Sequence, residues 1–262
     1  IAAFSSRGPT SDGRIKPDLV APGTNNLSLR SRARNADPRE SWGIFNEDYL
    51  FNGGTSMAAP LVAGAAALVR QYYRMVEKRE IVSGALVKAA LINGSVDLYP
   101  GQFSNFDEIP TIRPNIHEGW GRVNLASLFP EKGMAKHSVD DLKGLKEGES
   151  REFVIYIVDE TLPLSVTLVY SDYPASPAAS QVLVNDLDLS VRGPHNVVYF
   201  PNRKKGRDHL NNVEHIDIEE PMLGDYRIRI DASSVPLGDE FGRQPYAVVF
   251  SGEIKVKERE FF

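Results

Sequence analysis

Asn52-Gly53-Gly54-Thr55-Ser56-Met57-Ala58-Ala59-Pro60 sets two glycines directly before a run that starts a helix. Pro60 fits the first turn, where a missing N–H costs nothing. Beyond it, Leu61, Val62, Ala65, Ala66, Leu68 and Val69 continue a helical pattern from Thr55-Ser56 toward Met75. Ala58, Ala59, Ala63, Gly64, Ala65, Ala66 and Ala67 keep its surface thin, which predicts a helix buried on several sides. The Ser56 hydroxyl then sits at a helix amino end, among unpaired N–H groups carrying a positive partial charge. An oxyanion forming beside Ser56 would be stabilised there, and Gly53 and Gly54 would let a substrate backbone come close. A capped helix start is the plainer reading of Gly-Gly-Thr-Ser, and a serine at a helix start does not by itself separate the two.

A second helix is predicted from about Ser83 to Ile92, stopped by Asn93-Gly94. The polar stretch from Gly23 to Leu50, rich in Arg and Asn, predicts a long surface loop. Tyr99 to Glu118 reads the same way, with Pro100-Gly101, Pro110 and Pro114 as turn signals, and Glu131-Lys132-Gly133 reads as a linker. From about residue 138 the pattern turns to strands, clearest at Phe153–Val158 and Leu164–Tyr170. Further strands are predicted at Asp186–Val191, Val197–Phe200, Val213–Ile218, Tyr226–Ile230 and Tyr246–Phe250. Seven or eight antiparallel strands in a β-sandwich or jelly roll are the expected result.

The 262 residues hold 42% hydrophobic and 25% charged side chains, a balance that suits a globular chain of one large domain or two ordinary ones. A net charge of -5, with no long basic block, argues against nucleic-acid binding by bulk charge. The longest apolar stretch, Ala58 to Val69, is too short to span a bilayer. Cysteine is absent, which removes disulfides, thiolate metal sites and cysteine nucleophiles together.

Gly54-Thr55-Ser56-Met57-Ala58-Ala59-Pro60 resembles the nucleophile motif of the subtilisin-like serine proteases, the subtilases. Other segments resemble the same family in the same order: Phe4-Ser5-Ser6-Arg7-Gly8-Pro9, Lys16-Pro17-Asp18-Leu19-Val20-Ala21-Pro22-Gly23, Val87-Lys88-Ala89-Ala90-Leu91 and Gly119-Trp120-Gly121-Arg122-Val123-Asn124. Val169–Pro177 and Leu183–Leu189 are similar to the C-terminal β-barrel of certain alkaline subtilases. The resemblance implies the C-terminal part of an α/β catalytic domain with an incomplete parallel sheet over residues 1–131, then an all-β jelly-roll or sandwich domain over 138–262. It also implies a secreted endopeptidase with Ser56 as nucleophile and Gly53, Gly54 and Thr55 along the substrate cleft.

In that family the triad runs Asp, His, then Ser. The D-x-G and H-G-T motifs and the oxyanion asparagine are expected upstream of Ile1. The chain alone is therefore expected to be inactive, since removing the histidine in subtilisin costs roughly 10⁶ in kcat. Its first 130 or so residues are expected to expose apolar faces unless a missing N-terminal portion, or self-association, covers them. The histidines at 117, 137, 195, 209 and 215 read as surface residues rather than a replacement base. The G-x-S-x-G elbow of an α/β-hydrolase is absent. A non-catalytic binding or structural protein on a subtilase scaffold is the alternative. No cofactor is needed for the chemistry; calcium as a structural ion would draw on Asp172, Asp186 and Asp188, which otherwise read as the wet face of a strand.

Overall fold

Leu164–Val169 is buried along its whole length in a computed structural model of the chain, which describes residues 1–33, 35–103, 107–128 and 134–256. Leu164, Val166 and Leu168 enter one hydrophobic core, while Val169 enters another. Gln244–Gly252 divides alike, with Tyr246, Val248 and Phe250 on one side and Ala247 and Val249 on the other. Both segments belong to a sheet covered on both faces, which is why they read as nearly unbroken apolar runs.

The order of elements is β1 (Asn26–Leu29), β2 (Gly43–Ile44), β3 (Tyr49–Asn52), α1 (Thr55–Met75), α2 (Gly84–Asn93), β4 (Gln102–Phe103) and β5 (Asp107–Glu108). There follow β6 (Ala135–Leu145), β7 (Ser150–Ile157), β8 (Leu164–Val169), β9 (Asp186–Arg192) and β10 (Val198–Tyr199). The chain continues through β11 (Val213–Ile218), β12 (Gly224–Ser234), β13 (Gln244–Gly252) and β14 (Ile254–Val256). Among the described residues, β10-β9-β12-β7-β14 and β11-β8-β13-β6 form two sheets whose strands pair antiparallel. Leu187, Leu189, Ile228 and Ile230 of the first sheet meet Leu164, Val166 and Phe250 of the second in one core. The five-stranded sheet leaves its outer face partly wet, so β7 and β12 alternate between buried and exposed.

Several expectations need correction. The stretch Gly23–Leu50 is no simple loop: β1, β3 and β2 form a three-stranded sheet, with Leu27 opposite Phe51. Polar and arginine-rich residues hid these short strands. β6 went unread because Ala135-Lys136-His137-Ser138-Val139-Asp140-Asp141 is mostly polar, yet it pairs along β13. The predicted linker at Glu131-Lys132-Gly133 lies outside the described residues. The predicted parallel sheet is represented among the described residues by one isolated parallel bridge, Val20 to Arg122.

Helix α1 was expected to be covered on several sides. Its buried residues are Ala65, Val69 and Tyr73, a stripe spaced by four, while Leu61 and Leu68 stand about half exposed. Helix α2 is the buried one, because it lies on the outer face of the four-stranded sheet, with Leu86, Ala89 and Ala90 in the core shared with Val169 and Val249. Ser83 caps its start, accepting from Leu86 N–H at 2.9 Å, and the Asp140 carboxylate of β6 holds the Ser83 hydroxyl and N–H. Among the described residues, no helix is long and apolar enough to cross a membrane.

Polar side chains join the two halves. Asn93 Nδ2 donates to Ser165 O, Thr167 Oγ1 and Val249 O at 3.2–3.3 Å, and its Oδ1 accepts from Ser251 Oγ at 2.9 Å. Trp120 Nε1 donates to Asn202 Oδ1 at 3.0 Å. Arg113 Nε and Nη2 reach the Asp217 carboxylate at 3.0 and 3.2 Å, and His215 Nε2 lies 2.9 Å from the same group. Burial alone would raise the Asp217 carboxyl; His215, Arg113 and Ser165 overcome this and hold it well below the usual range. Each of these groups would be costly to bury unpaired, so together they define how the halves meet.

Candidate active site

The turn before α1 is held from two sides. Gly54 N–H donates to Gly23 O at 2.7 Å, joining the Ala21-Pro22-Gly23 segment to the helix start. That segment is anchored in turn: Val20 N–H donates to Gly121 O, Val123 N–H to Val20 O, and Trp120 N–H to Asp18 O, each at 3.0 Å. The family-like segments at 16–23 and 119–124 thus form the floor that positions Ser56. Asp18 adds ion pairs to Lys16 at 2.8 Å and Lys88 at 2.9 Å.

Gly54 has φ 144°, a conformation that a side chain would strain. It serves as the helix N-cap without any side-chain hydrogen bond, and no acidic residue stands in the first turn of α1. Ser56 is exposed one residue into the helix. Among the described residues, no hydrogen bond engages its hydroxyl or its N–H; the first amide drawn back into the turn is Met57 N–H, which donates to Gly54 O at 3.0 Å. A free hydroxyl beside a free amide at a helix amino end is the arrangement needed to stabilise a developing oxyanion.

Beside this turn runs a groove of about 670 Å³, bordered by Gly54 and Thr55 together with Ser5, Ser6, Pro22 and Thr24. Ser56 and Gly53 stand outside its lining. Gly53 lies instead beneath the indole of Trp42, which is 49% exposed and meets Phe4 edge-on at 6.2 Å between centroids. Sequence reading missed Trp42, because a tryptophan within an arginine-rich stretch carries no spacing signal toward Gly53. A methyl at Gly53 would fall 2.1 Å from the Trp42 ring. Gly53→Ala is therefore expected to swing the indole outward and shift its emission to longer wavelength, with Trp120, fully buried, as the constant background. An unchanged spectrum would show that Trp42 does not rest on Gly53 in solution.

Two of the histidines are not surface groups: His117 and His215 are buried, while His137, His195 and His209 are exposed. His117 stacks on Phe103 at 3.9 Å between centroids, and burial, with the charge of Arg7, lowers its imidazole. His215 joins Thr167 Oγ1 at 2.8 Å to Asp217 at 2.9 Å, an order of groups that imitates a hydroxyl-imidazole-carboxylate relay. Thr167 is fully buried between α2 and the sheet, so no substrate could reach it.

The three carboxylates read as calcium candidates do not gather at one point. Asp172 accepts from the backbone N–H groups of Tyr173, Val184 and Asn185, each at 2.8 Å, and so staples its own loop. Asp186 and Asp188 lie together with His209, their potential ligand atoms within 4.8 Å of one another. Burial raises the Asp186 carboxyl above its ordinary range against the hydrogen bond from His209, with the charge of Asp188 adding to the rise. The fully buried Glu214 is raised well above the ordinary range by burial, although Leu189 N–H donates to it, and the charges of Asp188, Asp208 and Asp186 add to the rise. The imidazole was missed because residues 186 and 209 meet only through the fold.

Residues 1–121 match the profile of the Subtilase family. Over 98% of its length the chain is 30% identical to the serine protease/ABC transporter B family protein tagA of Dictyostelium discoideum, of which it covers 16%. Half of the chain is 38% identical to the serine protease AprX of Bacillus subtilis, covering 25% of that protein. The chain thus spans a small part of the curated relatives it matches. A crystal structure of the serine protease of Aeromonas sobria aligns with 78% of this chain and 45% of that one, at 12% identity and a TM-score of 0.23, too low to inform the fold.

Proposed function

Because this chain belongs to the subtilase family through residues 1–121, we propose that Ser56 is the nucleophile of a serine endopeptidase acting on peptide substrates. The observation that carries this reading is the exposed Ser56 hydroxyl at the amino end of α1, with its own N–H uncommitted. Ser56 Oγ attacks the scissile carbonyl, and the carbonyl oxygen takes up negative charge against the Ser56 N–H and the helix terminus. Gly54 and Thr55 border the bound peptide along the groove beside α1, while Gly53, covered by Trp42, lies outside it.

Among the described residues, no histidine or carboxylate is hydrogen bonded to Ser56. The base, its orienting aspartate and the second oxyanion donor come, in this proposal, from family segments that would precede residue 1 in a longer polypeptide. The chain alone has no useful peptidase activity. The same upstream segments cover α1: between α1 and α2 lies an open groove of about 710 Å³ lined by Leu19, Ala59, Val62, Ala63, Ala66 and Leu91. Such an apolar face supports cover by another polypeptide, with a second copy of the chain as the runner-up. We place the complete protein outside the cell on the family resemblance alone.

A fluorophosphonate probe tests the proposal. In a polypeptide that joins this chain to the upstream Asp and His segments, mass spectrometry is expected to find the label on Ser56. The chain alone is expected to stay unlabelled. Failure of the joined polypeptide either to label or to cleave casein would favour a non-catalytic scaffold.

A further inference from the structure

We propose that Asp186, Asp188 and His209 bind one borderline divalent cation of the Zn²⁺ class, in a site remote in sequence from Ser56 and independent of the protease reading. β9 presents Asp186 and Asp188 two residues apart, on the face opposite Leu187 and Leu189, which enter the core. The loop between β10 and β11 brings His209 Nδ1 to 2.6 Å from Asp186 Oδ2 and 3.8 Å from Asp188 Oδ1. A group of acids beside a histidine is ordinarily a plain ion-pair cluster, so its unpaired atoms decide the matter.

Asp188 is 2% exposed, yet its Oδ1 has no hydrogen-bond donor. Its Oδ2 is fully engaged, accepting from Ser233 Oγ and from Arg207 Nη1 at 3.2 Å. The carboxylate is thus oriented by one oxygen and left open by the other, which faces His209. Asp186 Oδ1 and Glu214 Oε1 are likewise buried without a donor, and Glu214 is close enough to feel both aspartate charges. Neither neighbouring cation reaches the open oxygen: Lys204 pairs with Asp208, and Arg207 meets Asp188 through Oδ2 alone while also pairing with Asp231. Buried carboxylate oxygens without donors are costly, and a cation among them removes that cost.

The donor set chooses the ion. Calcium and magnesium take oxygen ligands, whereas an imidazole with carboxylates suits zinc and its neighbours. Tetrahedral bonds of about 2.0–2.2 Å place ligand atoms roughly 3.4 Å apart, so atoms now within 4.8 Å of one another draw in by about 1.4 Å at most. His209, with a side chain 60% exposed, is free to make that movement and leaves one side of the ion to water. Arg207 and Ser233 hold the Asp188 carboxylate from behind, as outer partners of a metal ligand do.

The test is calorimetric titration of the chelator-treated chain with Zn²⁺ and, separately, with Ca²⁺. One Zn²⁺ per chain is expected to bind, raising Tm, and Co²⁺ is expected to give a visible d–d band at the same stoichiometry. His209→Ala is a surface change and should fold normally, with Zn²⁺ affinity reduced at least about tenfold. Asp188→Asn, checked for folding by circular dichroism, should lose the site. Absence of saturable one-to-one binding overturns the proposal. So does Zn²⁺ binding unchanged in His209→Ala, which would place the ion at another histidine. Preferential Ca²⁺ binding retained in His209→Ala also overturns it, in favour of an all-oxygen calcium site.

Discussion

Ser56→Ala is expected to lower kcat toward a peptide substrate by roughly 10⁶ in a polypeptide carrying this chain and the upstream Asp and His segments. KM should change little, because the hydroxyl contributes to the reacting bond rather than to ground-state binding. The size follows from the arrangement: Ser56 is the exposed hydroxyl at the amino end of α1, and the helix terminus supplies stabilisation only to an oxyanion formed beside it. Loss of nucleophile and loss of base are not additive in this family, since each acts only through the other. Adding the substitution to a variant already lacking the histidine should therefore cost almost nothing more. Residual turnover within tenfold of the parent would remove Ser56 from the role of nucleophile. Kinetics of a chromogenic peptide, with circular dichroism as a control for folding, decide the point.

Arg113→Ala is expected to destabilise the chain by about 3 kcal/mol at neutral pH, the lower end of the cost of stripping one partner from a buried ion pair. Arg113 anchors Asp217 of β11 and also donates to Ser95 Oγ at 2.7 Å, so it ties the segment after α2 to the four-stranded sheet. His215 and Ser165 stay on Asp217, which keeps the loss from being larger. For a chain of this size the change corresponds to a fall in Tm of roughly 6–12 °C. Its pH dependence has a definite sign. The folded Asp217 carboxyl lies below its unfolded value, so its contribution is complete above the ordinary carboxylate range and fades as pH falls through the depressed folded value. Without Arg113 that folded value rises. The stability gap between parent and variant is therefore full at neutral pH and narrows below about pH 4. Chemical denaturation at pH 7 and near pH 3 measures both gaps. Equal gaps would mean that lost packing, rather than the ion pair, carries the effect.

How far the sequence could be read depended on the range of each signal. Helix α1 was legible at both ends, from the glycines before Thr55 to Met75, because capping and helical spacing are local patterns. Ser83 and Gly94 framed α2 for the same reason. The strands β7, β8, β9, β11, β12 and β13 were legible as apolar runs or alternations, and β10 as a short one. β6 was not, since an edge strand with one wet face looks like a charged loop.

The nucleophile candidate was determined by the sequence alone, because a contiguous motif places Ser56 at a helix start whatever surrounds it. Which helix faces would be covered was decided only by tertiary structure. Alanine-rich α1 is left open while α2 is buried, because burial depends on what long-range pairing brings alongside. Asn93 illustrates the point: it reads locally as a helix stop, yet in the fold it bonds to Ser165, Val249 and Ser251, residues 72, 156 and 158 positions away. Likewise, Asp172, Asp186 and Asp188 are alike in sequence. Only the fold gives the first to backbone amides and brings His209 to the other two. Local hydrogen bonding and periodicity are encoded residue by residue, whereas the partner of a buried polar atom is set by the path of the whole chain.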